Sequence, residues 1–528
     1  SSYGDISYRS GNREKSEGYA LLGMGGAGAL IEGPINNNLT YIASYRRSYL
    51  DVIADAINAS GGMPSYDDFQ AKLDFKSNVY NTFSFLTIIG GSLYQRDKNG
   101  AKEVGEDRYG ELKNNQTTIG FNYKRIWNKK SYSNTSFSYS QQSSTANFLN
   151  NISDSTVFKN IEKTKVKNVR QINHLKLNQN LNLEFGFDFQ NTSIGYNYFR
   201  KLPESNPFLK EIAFYEDVLI NNYAAFITIK NNISKRLILS AGLRLDQNDY
   251  EKINLYSPRL NIDYEVFRGK TNLILNIGKY HQNPPGIYVA NDISKVLKSV
   301  KAFQYSLNLE QMITPSTKLT ISGYQKNYED SPILPNSNLF QDPTFLFDEL
   351  RMYNGIVSNG TALAEGVEVL VQKKRAENFY GLIGGSIFNS TFTDYDGIKR
   401  SRNHNYGYIF NIVGGYRPKD NWELSIRWSY FGGKPYTPIN LESSIRGDEQ
   451  ILYLDQFNQE KTPAYHSLFV RYEKRYNLKK SNLIIFFEIW NTYNRENIET
   501  YFYSRGNQQI EKIVYFSTIP VGGFGLEF

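Results

Sequence analysis

The chain contains no cysteine, only four histidines and no long apolar run. The lack of cysteine excludes disulfides, thiolate metal sites and cysteine nucleophiles. No stretch reaches the roughly 20 apolar residues that a transmembrane helix needs. No two histidines lie at metal-ligand spacing, and we find no arrangement typical of a Ser–His–Asp catalytic site. We therefore predict no metal, no cofactor and no catalytic residues, so the protein is not expected to be an enzyme.

Basic residues exceed acidic ones, with a formal net charge of +8, but they form no block or arm. Binding of nucleic acid through a basic patch is therefore not expected. A basic exterior is better suited to anionic lipid headgroups. No secretion signal precedes Ser1, and we interpret the sequence as a mature or incomplete chain.

Aromatic residues are abundant, with 41 tyrosines and 33 phenylalanines, yet the mean hydropathy is −0.51. A soluble protein of 528 residues would divide into several domains. A single large transmembrane barrel is the main exception. Lipid touches only every second residue of its strands, and aromatic girdles mark its rims, so this composition is typical of such a barrel.

The stretch from residue 237 to 266 shows the repeating unit. Leu239 and Leu243 alternate with polar residues, a polar connection follows, and Leu260 and Ile262 alternate with polar residues again. Successive side chains of a strand point to opposite faces, so this pattern predicts a hairpin with one apolar and one charged face. An apolar outside and a charged inside indicate an outer-membrane barrel. The charged residues predicted to face the lumen are Arg244, Arg259, Asp263, Glu265, Arg427 and Glu473. They could line a substrate path, or they could be solvated cross-strand ion pairs.

Connections alternate between short polar turns and long loops. About 22 strand-like segments lie between them, an even number that lets an antiparallel sheet close. We expect all-β architecture with short periplasmic turns and long extracellular loops, including loops at residues 142–163 and 195–216. A short helix is predicted at residues 48–62 from its apolar spacing. Tyr430, Phe431 and Tyr436 could belong to a rim girdle or to a ligand platform, and the girdle is favoured.

Seven pieces of sequence, in order along the chain, resemble the barrel of TonB-dependent receptors of the Bacteroidota type. They are GNREK at 11–15, EGPI at 32–35, YRRSYLD at 45–51, SPRL at 257–260, GKYHQNP at 278–284, GGKPYTP at 432–438 and EIWNTYNREN at 488–497. The resemblance implies a 22-stranded outer-membrane barrel that imports a large ligand with energy from the inner-membrane TonB complex. That family also places a plug domain and a TonB-contacting segment before the barrel. We predict a lead-in segment at residues 1–10, a barrel at residues 11–528 and no plug in this sequence.

Two hypotheses follow. The favoured one is the barrel of an outer-membrane receptor, with lipid, lipopolysaccharide and, if a plug exists, the TonB complex as partners. The alternative is a plug-less barrel that serves as a structural subunit of an outer-membrane complex for protein secretion, barrel assembly or surface-lipoprotein handling. Its partners would be surface lipoproteins or other outer-membrane subunits. A passive porin is less favoured, since an open barrel of this width would leak.

Overall fold

In the computed structural model, the described residues are 7–49, 63–103, 108–201, 211–290, 297–333, 356–447, 450–504 and 506–528. One antiparallel sheet of 23 strands dominates this part of the chain. One of its strands has three residues and pairs with a single neighbour, so 22 strands run round the sheet. The last strand pairs with the first, and the sheet closes into a barrel. The predicted architecture and strand number are confirmed. The helix predicted at residues 48–62 falls almost entirely outside the described residues.

The strands, in chain order, are β1 (Glu17–Gly23), β2 (Gly26–Asn36), β3 (Leu39–Ser48), β4 (Met63–Asn78), β5 (Asn81–Arg96), β6 (Arg108–Asn128), β7 (Ser131–Asn150), β8 (Thr156–Lys176), β9 (Leu181–Lys201), β10 (Glu211–Asn232), β11 (Leu237–Asn248), β12 (Leu255–Phe267), β13 (Thr271–Gln282), β14 (Val300–Thr314), β15 (Thr317–Ile333), β16 (Val357–Ala376), β17 (Phe379–Thr393), β18 (Lys399–Ser401), β19 (Tyr408–Lys419), β20 (Trp422–Phe431), β21 (Pro435–Tyr436), β22 (Glu460–Lys461), β23 (Tyr465–Asn477), β24 (Asn482–Trp490), β25 (Ile498–Ser504), β26 (Gln509–Val514) and β27 (Ile519–Glu527). In the described connections there are three short α-helices, α1 (Lys98–Glu103), α2 (Gly286–Ala290) and α3 (Leu441–Gly447), and a 3-10 turn at Leu454–Gln456. None of the helices in the described ranges is long and apolar enough to cross a membrane.

The two faces of the sheet follow the alternation in the sequence. Phe187, Leu243 and Val369, on three different strands, are 50, 46 and 41% exposed on the outer face. Directly opposed residues of neighbouring strands share a face, so the register extends this assignment round the barrel. Large apolar side chains on an outer surface suit contact with lipid rather than water.

The barrel is much taller on one side than on the other. Strands β6 to β10 have 20 to 22 residues, whereas β24 and β27 have nine. A transmembrane strand needs only about 9–11 residues, so β6 to β10 extend well beyond a membrane. The prediction of long loops at 142–163 and 195–216 is wrong, because the described residues there are largely strand. These segments meet water on both faces, and apolar alternation is therefore weak in them.

The connection between β13 and β14 folds inward. Helix α2 packs Ile287 and Val289 against Tyr196 and Val218, which lie on the inner faces of β9 and β10. The other end of this connection, just before β14, is held by hydrogen bonds. The Ser299 backbone N–H and hydroxyl both donate to the carboxylate of Glu251, with an N–O distance of 2.7 Å for the backbone bond. The described parts of this loop therefore lie against the inner wall.

Candidate functional site

Arg244 lies on the inner face of β11 beside two carboxylates. Its Nη2 atom is 2.8 Å from Asp246 on the same strand and 3.8 Å from Asp188 on β9. The guanidinium carbon lies 6.0 Å from the centre of the Phe226 ring on β10. Neighbouring inner-face side chains thus surround the arginine, and the side chain is about three-quarters buried.

The three predicted lumenal residues of β12 have different surroundings. The Arg259 guanidinium lies 4.6 Å from the ring centre of Tyr280. Asp263 stands opposite Ile238 of β11 and Ile274 of β13. Glu265 accepts a 2.6 Å hydrogen bond from the N–H of Gly269, a turn residue with φ of +66°. Glu265 therefore stabilises the turn after β12.

The remaining two predicted residues lie on a different part of the wall. The Arg427 guanidinium on β20 is 4.0 Å from the ring centre of Phe469 on β23. Glu473 is 2.8 Å from Arg471 of its own strand. Strands β13, β14, β15, β16, β17 and β19 separate this group from β12. The six residues consequently form two groups rather than one site.

A cavity of about 370 Å³ lies where β20, β23 and β24 end on the long-loop side. Arg427 is the only predicted lumenal residue that lines it. Half of the fourteen lining residues are aromatic and three are charged. The aromatic ones are Tyr406, Phe431, Tyr465, Phe469, Trp490, Tyr515 and Phe516, and the charged ones are Arg427, Lys434 and Glu499. We call this the aromatic cavity. Mostly apolar walls with a few polar groups are typical of ligand pockets.

Three rings form the inner wall of the aromatic cavity. The ring centres of Phe469, Trp490 and Phe516 are 6.1, 5.7 and 6.2 Å apart in pairs. These separations are those of favourable tilted aromatic contacts. The indole N–H of Trp490 is buried and has no hydrogen-bond partner among the described residues.

Two buried asparagines hold the loop between β24 and β27 over this wall. Asn491 has φ of +50°, a conformation that asparagine tolerates better than most residues. Its side-chain amide donates to the carbonyls of Arg495 and Phe516 at 2.9 and 3.2 Å. Asn497 exchanges two hydrogen bonds with the backbone of His466, at 2.9 and 3.0 Å. These bonds place Phe516 and Glu499 at the cavity.

A buried ion pair holds the neighbouring loops together. The Nε atom of Arg400 is 2.6 Å from the Asp394 carboxylate, and both side chains are at least nine-tenths buried. Arg400 also donates to the carbonyl of Asp455 in the loop after β20, at 3.1 Å. The pair thus joins the loop that carries Tyr406 to the loop that carries Lys434.

The charges at the cavity favour an anionic ligand. Arg427 and Lys434 face a single carboxylate, that of Glu499. Burial raises the pKa of the Tyr515 phenol, so this group stays neutral at physiological pH and can donate a hydrogen bond. The arrangement can therefore bind a planar ring that carries negative charge, through stacking, charge and hydrogen bonds.

The lead-in segment runs along the inner wall. The Tyr8 hydroxyl donates to Gln70 at 2.8 Å, the Lys72 ammonium donates to the Tyr8 carbonyl at 2.9 Å, and Arg9 pairs with Glu32. Gln70, Lys72 and Glu32 are inner-face residues of β4 and β2. Gly11 lies so close to β3 that a Cβ atom there would be 2.0 Å from the Tyr41 carbonyl oxygen. The chain therefore reaches β1 from inside the lumen.

The sequence did not predict the aromatic cavity as a site. Of the three aromatic residues favoured as a girdle, Phe431 lines the cavity, whereas Tyr430 lies on the outer face, 3.2 Å from the Tyr408 hydroxyl. Tyr436 packs in the loop against Tyr501, with ring centres 5.1 Å apart. The GGKPYTP and EIWNTYNREN pieces each contribute a lining residue, Lys434 and Trp490. They are the sequence features that could have indicated a site here. Within the described ranges, no group of three or more His, Cys, Asp or Glu residues could hold a metal ion.

Comparison with known proteins agrees with the barrel fold. The model of the family described as TonB dependent receptor-like, beta-barrel, matches residues 38–489. No curated protein matches the sequence.

Solved structures share the fold at low identity. The ferric-catecholate import receptor Fiu from E. coli K12 is 10% identical, with 98% of this chain and 82% of that chain covered and a TM-score of 0.70. The ferripyoverdine receptor of the Pseudomonas aeruginosa outer membrane is 10% identical over 97% and 72%, with a TM-score of 0.74. The ferric yersiniabactin uptake receptor FyuA from Yersinia pestis is 12% identical over 98% and 80%, with a TM-score of 0.69.

Proposed function

The chain belongs to the TonB-dependent receptor-like β-barrel family, and on that premise we propose that it imports a ligand across the outer membrane with energy from the TonB complex. The observation that carries this proposal is the aromatic cavity, because it places a ligand-sized surface at the long-loop end of the lumenal wall. The sequence pieces also support a receptor of the Bacteroidota type.

The chemistry of the cavity suggests the class of ligand. Stacked rings favour a planar group, and the excess of Arg427 and Lys434 over Glu499 favours negative charge. The three solved receptors named above are receptors for iron chelates. We therefore propose that the ligand is an anionic iron chelate with an aromatic group. The chelate is larger than the cavity, which encloses only part of it.

The inner-wall course of the lead-in segment supports the same function. Residues 7–16 contact the lumenal faces of β2, β3 and β4 before β1 begins. A domain within the barrel would connect to β1 along this path. The charged lumenal residues, Arg244 and Arg259 among them, would then border the route of the ligand or contact that domain.

The experiment is binding and uptake of ferric chelates by the native protein in cells with an intact or inactivated TonB system. Trp490→Leu removes one ring of the cavity and is expected to weaken binding roughly tenfold, since burial of an aromatic side chain contributes about 1.5–3 kcal/mol. Trp422→Leu is the matched control, because Trp422 lies at the opposite end of β20 and packs on Tyr416.

Uptake that requires TonB and falls in Trp490→Leu alone would support the proposal. Chelate uptake that is absent, together with stoichiometric outer-membrane proteins that co-purify with the barrel in mild detergent, would favour the structural-subunit alternative.

A further inference from the structure

Strand β8 carries a row of lysines on the outer face of the tall side of the barrel. Lys163, Lys165 and Lys167 are all exposed and occupy alternate positions. Val169, the next residue on the same face, pairs with Phe137 and Phe189, which lie on the outer side. The three lysines therefore point away from the lumen. Alternate residues of a strand are about 6.6 Å apart, so the row is about 13 Å long.

The row begins at the upper edge of the apolar belt. One outward row is apolar throughout β6 to β10 and consists of Phe121, Phe137, Val169, Phe189 and Tyr223, joined by direct register. In the row below it, β9 continues with Phe187, whereas β7 and β8 present Thr135 and Gln171. In the next row toward the long loops, Lys167 lies between Tyr139 and Asn191. The lysines thus stand at the height where lipid headgroups follow the acyl chains on the extracellular side.

The surface around the lysines is neutral and hydrogen-bonding. Lys165 lies between Gln141 and Ser193, and Lys163 lies between Ser143 and Gly195. Of the described residues, none forms an ion pair with these three lysines. In direct register with the lysines, the nearest outward carboxylate is that of Asp217 on β10, across Gly195 from Lys163. One of its oxygens lies 2.8 Å from the position of a Cβ atom at Gly195, so this carboxylate borders the upper end of the row.

Like charges at successive positions on one face repel each other unless an anion lies between them. No other described strand has lysines at three successive outward positions. We propose that Lys163, Lys165 and Lys167 bind the phosphate groups of lipopolysaccharide, with its acyl chains against Phe137, Val169 and Phe189. The lysines supply the charge, and the apolar row supplies the surface for the chains. This proposal rests on the outer-membrane location but not on ligand uptake.

The experiment titrates lipopolysaccharide onto the full chain in mild detergent and counts bound lipid by native mass spectrometry. The variant combines Lys163→Gln, Lys165→Gln and Lys167→Gln. The matched control combines Lys235→Gln, Lys479→Gln and Lys480→Gln, three exposed lysines in turns at the opposite end of the barrel. The triple variant is expected to bind about a hundredfold more weakly, and Lys165→Gln alone about fivefold. The control should match the unmodified protein, whose affinity should fall with added salt.

Three results would overturn the proposal. They are unchanged binding by the triple variant and by Lys165→Gln, equal affinity for lipopolysaccharide that has lost its phosphates, and full displacement by inorganic phosphate at the same concentration. The last result would identify a general phosphate site rather than a lipid site. The Trp490→Leu protein should bind lipopolysaccharide normally, so the uptake proposal and this one can fail separately.

Discussion

The buried pair of Asp394 and Arg400 offers a direct test of how the loops are held. In Asp394→Asn, the size and the hydrogen-bonding oxygen remain, but the guanidinium loses its counter-charge. Removal of one partner of a buried pair costs about 3–5 kcal/mol. Both side chains are at least nine-tenths buried, so solvent screens this loss little. The barrel strands do not depend on the pair, and the cost should appear as local opening of the loops.

Hydrogen exchange measures that opening. A cost of about 3–5 kcal/mol corresponds to roughly a hundred- to several-thousandfold faster exchange of amides protected by the loop. The amides of Ile398 and Arg402 are suitable reporters, since they donate to Asp394 and to the Ser390 carbonyl. Amides in the part of β17 and β19 that pair with each other, residues 379–387 and 408–416, should not change. Chelate affinity should also fall, because Tyr406 of this loop lines the aromatic cavity.

Two further variants make the result specific. Glu442→Gln breaks the exposed pair with Arg446 in a neighbouring loop, and no measurable change is expected. The double variant Asp394→Leu with Arg400→Met removes both charges and should recover much of the protection at Arg402, as apolar replacements of buried pairs often do. Ile398 should stay unprotected, because leucine cannot accept its hydrogen bond. Wild-type exchange at Ile398 and Arg402 in Asp394→Asn would refute the reasoning.

Two other predictions concern the inner wall. Gly11→Val should displace the lead-in segment and expose it to protease, because its Cβ atom would be 2.0 Å from the Tyr41 carbonyl oxygen. The control is Gly25→Ala, whose Cβ atom would have no other atom within 4 Å, and it should resist protease as the unmodified protein does. Equal protection of both variants would contradict the placement of the segment. Glu251→Ala leaves the buried N–H of Ser299 without its acceptor, at about 1–3 kcal/mol, whereas the hydroxyl can still donate to Asn283. Amides of α2 should exchange faster, and unchanged exchange there would show that the loop is held by its other contacts.

Much of the barrel follows from local patterning. The alternation around Leu243 and Arg244 predicts both faces of the strand, because lipid accepts only the apolar side chain. Short Asn- and Lys-rich turns predict which connections are tight, and Glu265 illustrates this, since its carboxylate caps such a turn. The even strand number follows from counting the strand-like segments between these turns and the longer loops.

The alternation of apolar and polar residues does not predict how far the strands extend beyond the membrane. Residues such as Ser143 and Thr145 are polar in succession, since the tall part of β7 meets water on both faces. Where neither face is apolar, period-two patterning gives no signal, and only pairing with the neighbouring strand reveals the structure. The lysines of β8 are visible in the sequence, but their outward direction depends on that pairing.

The sequence by itself determined a closed antiparallel barrel, its apolar belt and its charged lumen, because a membrane imposes these on every strand separately. Tertiary structure alone decided the aromatic cavity. Tyr406, Trp490 and Tyr515 come from two connections and a strand end, and the contacts that bring them together are single buried asparagines and one buried ion pair. Such contacts join residues far apart in the chain, so no local pattern reveals them.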